Sequence, residues 1–276
     1  MLPLPFSEHE AVRALFQAFE DQLAVNAIFE GTAPATIYVD NSHHPQAAFT
    51  WWRHHCFLVG YERDEEFNEA IRRLFLDTLF PHAPAAGLDL FALSAAPESW
   101  DGLVAGILRG HKPIKAWHHY YRLKARRHGE RVRLPQGFHL RWIDATLVEE
   151  KHLKNLALLR DELCSERASV KDFLAHSFGV CALYGDEIAG WCTSEYNSGD
   201  RCEVGIGTLE PYQRRGLATA MATALIEHAR SRGITHIGWH CEAHNVASIA
   251  SALKVGFEKV HEYSTYLIWI DGSHHR

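Results

Sequence analysis

The stretch Val204–Thr219, VGIGTLEPYQRRGLAT, carries more information about the fold than any other part of the sequence. It begins as a β-branched strand, and an amphipathic helix starts directly after the tetrapeptide QRRG at 213–216. The first turn of a helix leaves backbone N–H groups unpaired, and these donors together with the helix dipole favour an anion. Gly216 and Ala218 remove side-chain bulk, and two arginines add positive charge. The stretch therefore predicts a strand–loop–helix unit that holds a phosphate group.

On both sides of this unit, the second half of the chain has the hydrophobic periodicity of alternating strands and helices. Gly185-Asp186 and Asn197–Asp200 predict turns between three strands, and Gly233 predicts the end of the helix that follows the phosphate loop. The predicted strands are Phe138–Ile143, Gly179–Tyr184, Glu187–Tyr196, Arg201–Thr208, His236–Cys241 and those within Phe257–Ile270, and the predicted helices are Thr146–Asn155, Val170–Ser177, Leu217–Arg232 and Asn245–Val255.

The first half of the chain has a similar succession of elements. Its predicted strands are Thr36–Asp40, Cys56–Gly60, Leu88–Leu93 and Lys115–Lys124, and its predicted helices are Glu8–Ala24, Asp64–Phe80 and Glu98–Leu108. Glycines and a proline among the charges of His128–Gly137 predict a boundary between the halves. We therefore predict an α/β protein with one domain over residues 1–130 and another over 131–276, the first being a diverged copy of the second.

Composition narrows the class of protein. The 276 residues are 47% hydrophobic and 22% charged, which is typical of a globular protein. The net charge of −6 argues against a general nucleic-acid binder, which needs a basic face. One basic stretch exists, Arg122–Arg133, and we interpret it as a solvated segment in preference to a polyanion site.

The cysteines and the apolar segments bear on location and on metals. None of the six cysteines forms a C-x-x-C pair, and the start MLPLPFSEHEAVRALF has no signal-peptide pattern, so we expect reduced thiols and a cytoplasmic protein. No apolar run is long enough to cross a membrane. Cys241-x-x-His244 lacks a second spaced pair of ligands, so we expect no metal site.

The segment QRRGLA at 213–218 resembles the Gln/Arg-x-x-Gly-x-Gly/Ala signature of the GNAT superfamily of N-acetyltransferases. The segments WHCEAHNVAS at 239–248 and KVGF at 254–257 also fit that superfamily. At a finer level, EVGIGT, RRGLAT and GFEKV, with YVDNSHHPQAAFTWW in the first half, resemble the acetyltransferase family that includes the zwittermicin A resistance protein. The resemblance extends over about residues 35–270 and is most specific over 203–257.

This resemblance implies a GNAT fold in the second half and acetyl-CoA as a co-substrate. The pyrophosphate is expected at the phosphate loop, and the pantetheine arm along a splayed strand and near an asparagine. The residues so implied in coenzyme binding are Ile206, Gly207, Thr208, Gln213, Arg214, Arg215, Gly216, Leu217, Ala218, Thr219, Asn245 and Ser248.

Acetyl transfer to an amine needs a neutral amine and a polarised thioester carbonyl. By the same resemblance Glu203 is the candidate general base, with a solvent-facing or ion-paired strand residue as the alternative. Many relatives carry a tyrosine as general acid where this chain has Ala252, so no acid is assigned. Tyr263, Tyr266 and Ser248 are possible substitutes, each more consistent with a structural role.

We therefore predict transfer from acetyl-CoA to the amine of a small molecule, in resistance or detoxification. Neither nucleic acid nor a membrane is an expected partner, and a homodimer is possible. Two other functions stay open: an enzyme that uses aminoacyl-tRNA, favoured by the two-unit layout and the basic run near Arg126, and a non-catalytic acetyl-CoA-binding module, favoured by Ala252.

Overall fold

The computed structural model describes residues 1–62, 64–108, 110–124 and 134–270. By their internal contacts these residues form two compact units. The first unit contains Met1–Trp117 together with the residues from Tyr263 onward, and the second contains His118–Glu262. The predicted division between residues 130 and 131 lies in the segment 125–133, outside the described residues, and stays a prediction.

The described residues contain strands and helices in alternation. The strands are β1 (Leu2–Leu4), β2 (Ile37–Val39), β3 (Ala47–Trp52), β4 (His55–Gly60), β5 (Leu90–Ala96), β6 (Ile114–Leu123), β7 (Phe138–Trp142), β8 (Gly179–Tyr184), β9 (Glu187–Ser198), β10 (Arg201–Thr208), β11 (His236–Glu242) and β12 (Phe257–Trp269). The α-helices are α1 (Leu23–Phe29), α2 (Glu65–Leu74), α3 (Phe80–His82), α4 (Asp101–Ile107), α5 (Leu156–Leu163), α6 (Val170–His176), α7 (Leu217–Ser231) and α8 (Val246–Lys254).

The sheet of the first unit has the strand order β1-β2-β3-β4-β5-β12. Its neighbours are antiparallel except β4 and β5, which run parallel. The crossover between those two strands contains α2, whose acidic first turn is capped by Asp64. Its apolar stripe packs onto the sheet through Phe67 and Ile71, both of which are buried in the same core as Phe49, Leu58 and Trp100.

The sheet of the second unit has the strand order β6-β11-β10-β9-β8-β7. Here too the neighbours are antiparallel except for one pair, β10 and β11. Their crossover contains α7, which buries Leu217, Met221 and Leu225 against one face of the sheet. The opposite face carries a second apolar core, to which α5 contributes Leu159 and Leu163 and β9 contributes Trp191.

The last strand of each half of the sequence pairs in the other unit. The residues His118–Arg122 of β6 pair with β11 in the second unit, although they follow the elements of the first unit in the chain. The residues Tyr266–Trp269 of β12 pair with β5 in the first unit. In the part of the chain that the structure describes, each unit therefore has six strands, with one parallel pair around a crossover helix, as expected of diverged copies.

The mixed α/β class is confirmed, but several elements differ from the prediction, and neither β1 nor α5 was predicted. The segment predicted as one helix over Glu8–Ala24 is a 3-10 helix over Phe6–Phe19 followed by α1. The predicted helix Thr146–Asn155 is wrong, because only Leu147–Glu149 makes a 3-10 turn there and Asn155 has φ = 63° directly before α5. Strand β3 was not predicted, since its run AAFTWW does not alternate between apolar and polar residues.

Two features of the chain bear on the expectation that neither a membrane nor a nucleic acid is a partner. Among the residues that the structure describes, no helix is both long enough and apolar enough to span a membrane. Most of the basic stretch Arg122–Arg133 lies in 125–133, outside the described residues.

Candidate active site

Strands β10 and β11 pair over only a short distance before they separate. Their parallel pairing joins Arg201–Glu203 to His236–Gly238. Beyond Glu203, β10 continues to Thr208 while it is paired with β9 alone. Beyond Glu203, the edge of β10 that faces β11 therefore presents unpaired backbone N–H and C=O groups. An extended ligand can hydrogen-bond to them in the same way as an additional β-strand.

The helix that follows this open edge begins without a capping side chain. Gly216, at the N-cap of α7, has φ = 81°, a left-handed conformation that favours glycine. Apart from the adjacent residues and the backbone of α7 itself, no described atom lies within 4 Å of the place that a Cβ on Gly216 would occupy. The first-turn N–H groups of α7 are thus open to an anion, as the sequence predicts.

Side chains of the loop connect the strand end to the helix start. Nε2 of Gln213 donates a hydrogen bond to the carbonyl oxygen of Thr208 at 3.1 Å. Nη2 of Arg215 donates to the carbonyl of Pro211 at 3.2 Å, and its guanidinium lies 5.9 Å from the ring centre of Phe138. Arg214 is exposed and adopts φ = 59°. These two hydrogen bonds to the backbone of Thr208 and Pro211 fix the loop, while the side chains of Arg214 and Arg215 remain exposed to solvent.

These residues fit coenzyme A by two independent observations. The hydroxyl of Thr208 is buried and has no hydrogen-bond partner among the described residues, although it lies at the end of the open strand edge. The space beside Gly216 is empty of protein atoms at the helix N-terminus. A buried orphan polar group and an open anion site within one strand–loop–helix unit suit the amide-bearing arm and the pyrophosphate of one ligand.

Glu203 lies at the last paired position before the strands separate. The register between β9 and β10 shifts there, because Cys202 lies opposite Asn197 and Val204 lies opposite Ser194. Such a bulge redirects side chains next to a site. Glu203 is 6% exposed, and its Oε1 lies 3.3 Å from Nε2 of His240. The predicted base therefore forms a buried carboxylate–imidazole pair.

His240 is supported from the neighbouring strand β6. Its ring stacks on Tyr120 with the ring centres 4.6 Å apart, and the two residues are cross-strand partners. Gly238 leaves room for Tyr120, since a Cβ at residue 238 would lie 2.9 Å from its ring. The stacking fixes the imidazole plane and so keeps Nε2 beside the Glu203 carboxylate.

Two glycines of β10 make room for side chains of β9 on the Glu203 face of the sheet. A Cβ at Gly205 would lie 2.2 Å from Oε1 of Glu195, and one at Gly207 would lie 2.8 Å from Nε1 of Trp191. The Glu195 carboxylate and the Trp191 indole therefore occupy the space that side chains at residues 205 and 207 would fill. A side chain at residue 205 or 207 would displace these groups, so the glycines of EVGIGT shape this surface as well as the strand.

The Glu195 carboxyl lies in an unfavourable electrostatic environment. Burial raises its pKa well above the usual range, and the negative charges of Glu166, Glu203 and Glu162 raise the pKa further. Burial also raises the pKa of Glu162, and the charge of Glu166 adds to that effect. Carboxylates with raised pKa values in one place are typical of functional sites.

A buried arginine holds the backbone of this region. Nε of Arg167 donates to the carbonyl oxygen of Glu195 and to Oγ of Ser177, both at 3.1 Å, and its guanidinium lies 5.1 Å from the ring centre of Tyr196. The Tyr196 hydroxyl donates to Oε2 of Glu166 at 2.9 Å. These bonds fix the loop after α5 to strand β9 and thereby hold Glu166 and Glu195 in place.

The predicted residues of α8 have structural partners. The side chain of Asn245 caps α8 by accepting from the backbone N–H of Ser248 at 3.0 Å. The hydroxyl of Ser248 accepts from Nε1 of Trp239 at 2.9 Å. Ala252 is completely buried in the apolar core, as is most of Cys241, whose pKa is raised by burial. Both are core residues in this chain.

The two tyrosines considered as substitute acids lie on β12 in the first unit. The Tyr266 hydroxyl donates to Oδ1 of Asp101 at 2.7 Å, which gives it a structural role. Burial, together with the hydrogen bond to Asp101, raises the pKa of Tyr266 above its usual range. Tyr263 is partly buried on the same strand.

The structure groups the predicted residues of β10 and of the phosphate loop at one end of β10. The sequence analysis missed His240, Glu195, Trp191 and Tyr120 as site residues. The sequence contains one partial signal for Trp191 and Glu195, because residues 191, 193 and 195 alternate on one strand face and the glycines at 205 and 207 alternate on the next strand. That Gly207 lies opposite Trp191 and Gly205 opposite Thr193 is set by the strand register. No local signal indicates His240, since its pairing with Glu203 depends on the register of β10 with β11.

Comparison with known proteins gives a consistent result. A sequence profile of the family described as GNAT acetyltransferase matches residues 13–266. The chain is 26% identical over 261 residues to the Bacillus subtilis (strain 168) protein named uncharacterized N-acetyltransferase YdfB, which spans 94% of this chain and 95% of that protein.

Two solved structures of GNAT proteins are similar to this chain over almost its whole length. One is a GCN5-related N-acetyltransferase-like protein from Streptococcus suis 89/1591, with 24% identity and a TM-score of 0.70 over 95% of this chain and 98% of that one. The other is a tandem GNAT protein from the clavulanic acid biosynthesis pathway, with 12% identity and a TM-score of 0.59 over 98% of both chains. At these identities the likeness establishes the fold, and the second one fits a GNAT-like first unit.

Proposed function

This chain belongs to the GNAT acetyltransferase family and is an N-acetyltransferase, and from that premise we propose that it transfers the acetyl group of acetyl-CoA to the amine of a small molecule. The observation that carries the proposal is the separation of β10 from β11 next to the open N-terminus of α7. A free strand edge followed directly by an anion site supports binding of coenzyme A, with the thioester near Glu203.

Acetyl-CoA supplies an activated acyl group with a thiolate leaving group. In the proposed mechanism the N–H groups of β10 near Ile206 hydrogen-bond to the thioester carbonyl and stabilise negative charge on its oxygen during attack. Glu203 accepts the proton that the amine loses, directly or through a water molecule. His240 holds the carboxylate in position from 3.3 Å away.

No residue is assigned as a general acid. Ala252 has no proton to donate, and the Tyr266 hydroxyl is bound to Asp101. A coenzyme A thiolate is a stable leaving group near neutral pH, so we propose that it leaves without a dedicated acid.

Several finer aspects of the function remain part of the proposal. They are a role in resistance or detoxification, a relationship to the zwittermicin A resistance-like acetyltransferases, a cytoplasmic location and a homodimer. The net charge of −6 favours a small-molecule acceptor over aminoacyl-tRNA. The buried pair of Glu203 and His240 favours turnover over coenzyme binding alone.

Binding of acetyl-CoA is the first measurement. We expect acetyl-CoA and coenzyme A, but not ATP, to raise the melting temperature, because a ligand that binds only the native state stabilises it. Gly216→Leu should abolish this effect in calorimetry, since its side chain would enter the open space at the helix N-terminus.

Gly233→Leu is the matched control at the other end of α7. Gly233 has φ = 83° and, like Gly216, no atom within 4 Å of its Cβ position. Both variants should lose similar stability, and only Gly216→Leu should lose coenzyme binding. Equal coenzyme affinity in the two variants would contradict the assignment of the phosphate site.

A further inference from the structure

The phosphate loop, residues 209–216, holds an unfavourable backbone conformation without a buried core of its own. None of its residues is buried. Arg214 and Gly216 have φ = 59° and φ = 81°. A left-handed conformation at a residue other than glycine costs free energy and persists only where surrounding contacts impose it. The phosphate loop therefore depends on contacts with the neighbouring strands.

Tyr212 connects the phosphate loop to strand β9. It is the last residue of the 3-10 turn Glu210–Tyr212. Its hydroxyl donates a hydrogen bond to Oε2 of Glu187, the first residue of β9. This hydrogen bond raises the pKa of Tyr212 above its usual range, and burial adds to the effect. The phosphate loop is thus fixed to the sheet two residues before the left-handed Arg214.

The carboxylate of Glu187 is held on its other side by Lys154. Nζ of Lys154 donates to Oε1 of Glu187 at 2.7 Å. The backbone of Lys154 is bonded on both sides of Glu187, because its N–H donates to the carbonyl oxygen of Asp186 at 2.9 Å and its carbonyl oxygen accepts from the N–H of Ile188 at 3.1 Å. The hydrogen bond with Lys154, and after it the one with Tyr212, lowers the pKa of Glu187. The ionised carboxylate therefore has a partner at each oxygen, and such charge-assisted hydrogen bonds are stronger than neutral ones.

The ring of Tyr212 also contacts an arginine of the phosphate loop. It packs edge-on against Phe138 of β7, with the ring centres 5.9 Å apart. The guanidinium of Arg215 lies 5.9 Å from the ring centre of Phe138 and 6.0 Å from that of Tyr212. Aromatic faces attract a guanidinium at this distance. Tyr212 therefore positions the side chain of Arg215 as well as the backbone before Arg214.

Resting on the proposed function, we propose that Tyr212 and Glu187 are positioning residues for coenzyme A, because their hydrogen bond holds the phosphate loop in the conformation that presents the first N–H groups of α7 to the pyrophosphate. In this role neither residue contacts the coenzyme. A loop that is already in its binding conformation binds more tightly, since it does not have to be ordered on binding. Without this hydrogen bond the loop adopts that conformation for a smaller fraction of the time, and the apparent affinity falls by that fraction.

Tyr212→Phe tests this role, because it removes the hydroxyl and keeps the ring beside Phe138 and Arg215. We expect the Kd for coenzyme A in calorimetry and the KM for acetyl-CoA each to rise about tenfold, as the binding-competent conformation becomes less populated. The kcat at saturating acetyl-CoA should stay unchanged, because the bound loop has the same conformation in both proteins. A purely structural contact would lower stability and leave the Kd and the KM as they are.

Glu187→Ala removes the same hydrogen bond from the side of β9. We expect it to raise the Kd for coenzyme A to a similar extent. The double variant that combines it with Tyr212→Phe should raise the Kd no further, because the two residues act through one hydrogen bond.

Tyr266→Phe is the matched control in the first unit. The Tyr266 hydroxyl also donates to a carboxylate, Oδ1 of Asp101 at 2.7 Å, so this variant should lose stability in urea denaturation with no change in coenzyme affinity. Wild-type affinity in Tyr212→Phe, additive losses in the double variant, or an equal loss in Tyr266→Phe would overturn the inference. Coenzyme binding by the wild-type protein in those cases would leave the proposed function intact, whereas no binding by the wild-type protein would overturn both.

Discussion

At the residue scale, the candidate chemistry depends on the pair of Glu203 and His240. Glu203 is buried at the last position where β10 and β11 are paired, opposite Gly238. His240 lies two residues after Gly238 on β11 and contacts the Glu203 carboxylate. On a strand, residues two apart share a face, so Gly238 and His240 both face the side on which Glu203 lies. Cys241 points the other way, into the apolar core.

Glu203→Gln should lower kcat/KM by about 10²- to 10⁴-fold near neutral pH and leave acetyl-CoA affinity unchanged, because the amide cannot accept a proton. His240→Gln should have a smaller effect. The double variant should match Glu203→Gln alone, because His240 acts through Glu203. Steady-state kinetics across pH, with calorimetry for the coenzyme, measure both parameters.

His244→Gln is the control for a generic histidine–glutamate contact. His244 also lies near a carboxylate, with Nε2 at 3.0 Å from Oε2 of Glu242, but its side chain is 83% exposed. This variant should keep full activity. An unaltered pH–rate profile in Glu203→Gln, or effects of Glu203→Gln and His240→Gln that simply add, would contradict the roles given to the pair.

At the element scale, the helix N-termini distinguish the two units. In the second unit α7 begins at Gly216 with no capping side chain. In the first unit α2 is capped by Asp64, which accepts from the N–H of Phe67 at 2.9 Å, and Glu65 and Glu66 follow in its first turn. Three carboxylates at the start of α2 already satisfy the helix dipole and repel phosphate. Only α7, of these two crossover helices, is suited to coenzyme A.

The N-terminus of α8 gives a second prediction at this scale. Asn245→Ala should destabilise the fold by about 1 kcal/mol, because it removes the cap on Ser248. Asn245→Asp should retain the cap but replace the amide NH2 with an oxygen. If Asn245 also binds the pantetheine arm, as the resemblance implies, coenzyme affinity falls about tenfold in Asn245→Asp.

The matched control is the cap of α6. Ser169 accepts from the N–H of Asp172 at 3.1 Å, so Ser169→Ala should lose similar stability with no change in coenzyme affinity. Chemical denaturation and calorimetry separate the two effects. Wild-type coenzyme affinity in Asn245→Asp would reduce Asn245 to a helix cap.

At the scale of the whole molecule, the buried carboxyl groups of Glu195 and Glu162 link stability to pH. The pKa of Glu195 lies well above its ordinary value of 4.5 in the native state. The native state therefore binds the proton more tightly than the unfolded chain, and stability falls as pH rises from about 4.5 towards the native pKa. Glu162 has a shift of the same sign. The protein thus loses stability at neutral pH by keeping these carboxyls.

Glu195→Gln should therefore raise the free energy of unfolding at pH 8 and have little effect at pH 4, where the wild-type carboxyl is mostly protonated in both states. Urea denaturation at the two pH values measures the difference. Glu149→Gln, at an exposed site, should change stability by less than about 0.5 kcal/mol at either pH. A loss of stability in Glu195→Gln at pH 8 would show that the carboxylate has a stabilising partner.

The sequence by itself determined the local elements of the site. A β-branched strand, a glycine loop and an amphipathic helix are specified by residues adjacent in the chain, so QRRG at 213–216 and the turn at Gly185 were predictable. Element boundaries failed where a neighbouring contact decides them, as at Asn155, whose positive φ starts α5.

Only the tertiary structure decided which distant residues meet. The contact of Glu203 with His240 depends on the register of two parallel strands separated by α7. The unit boundaries depend on where β6 and β12 pair, and this pairing is set by hydrogen bonds between residues more than 100 positions apart. Periodicity shows which face of a strand is buried, but it does not identify the neighbouring strand, because that choice depends on the packing of the whole sheet.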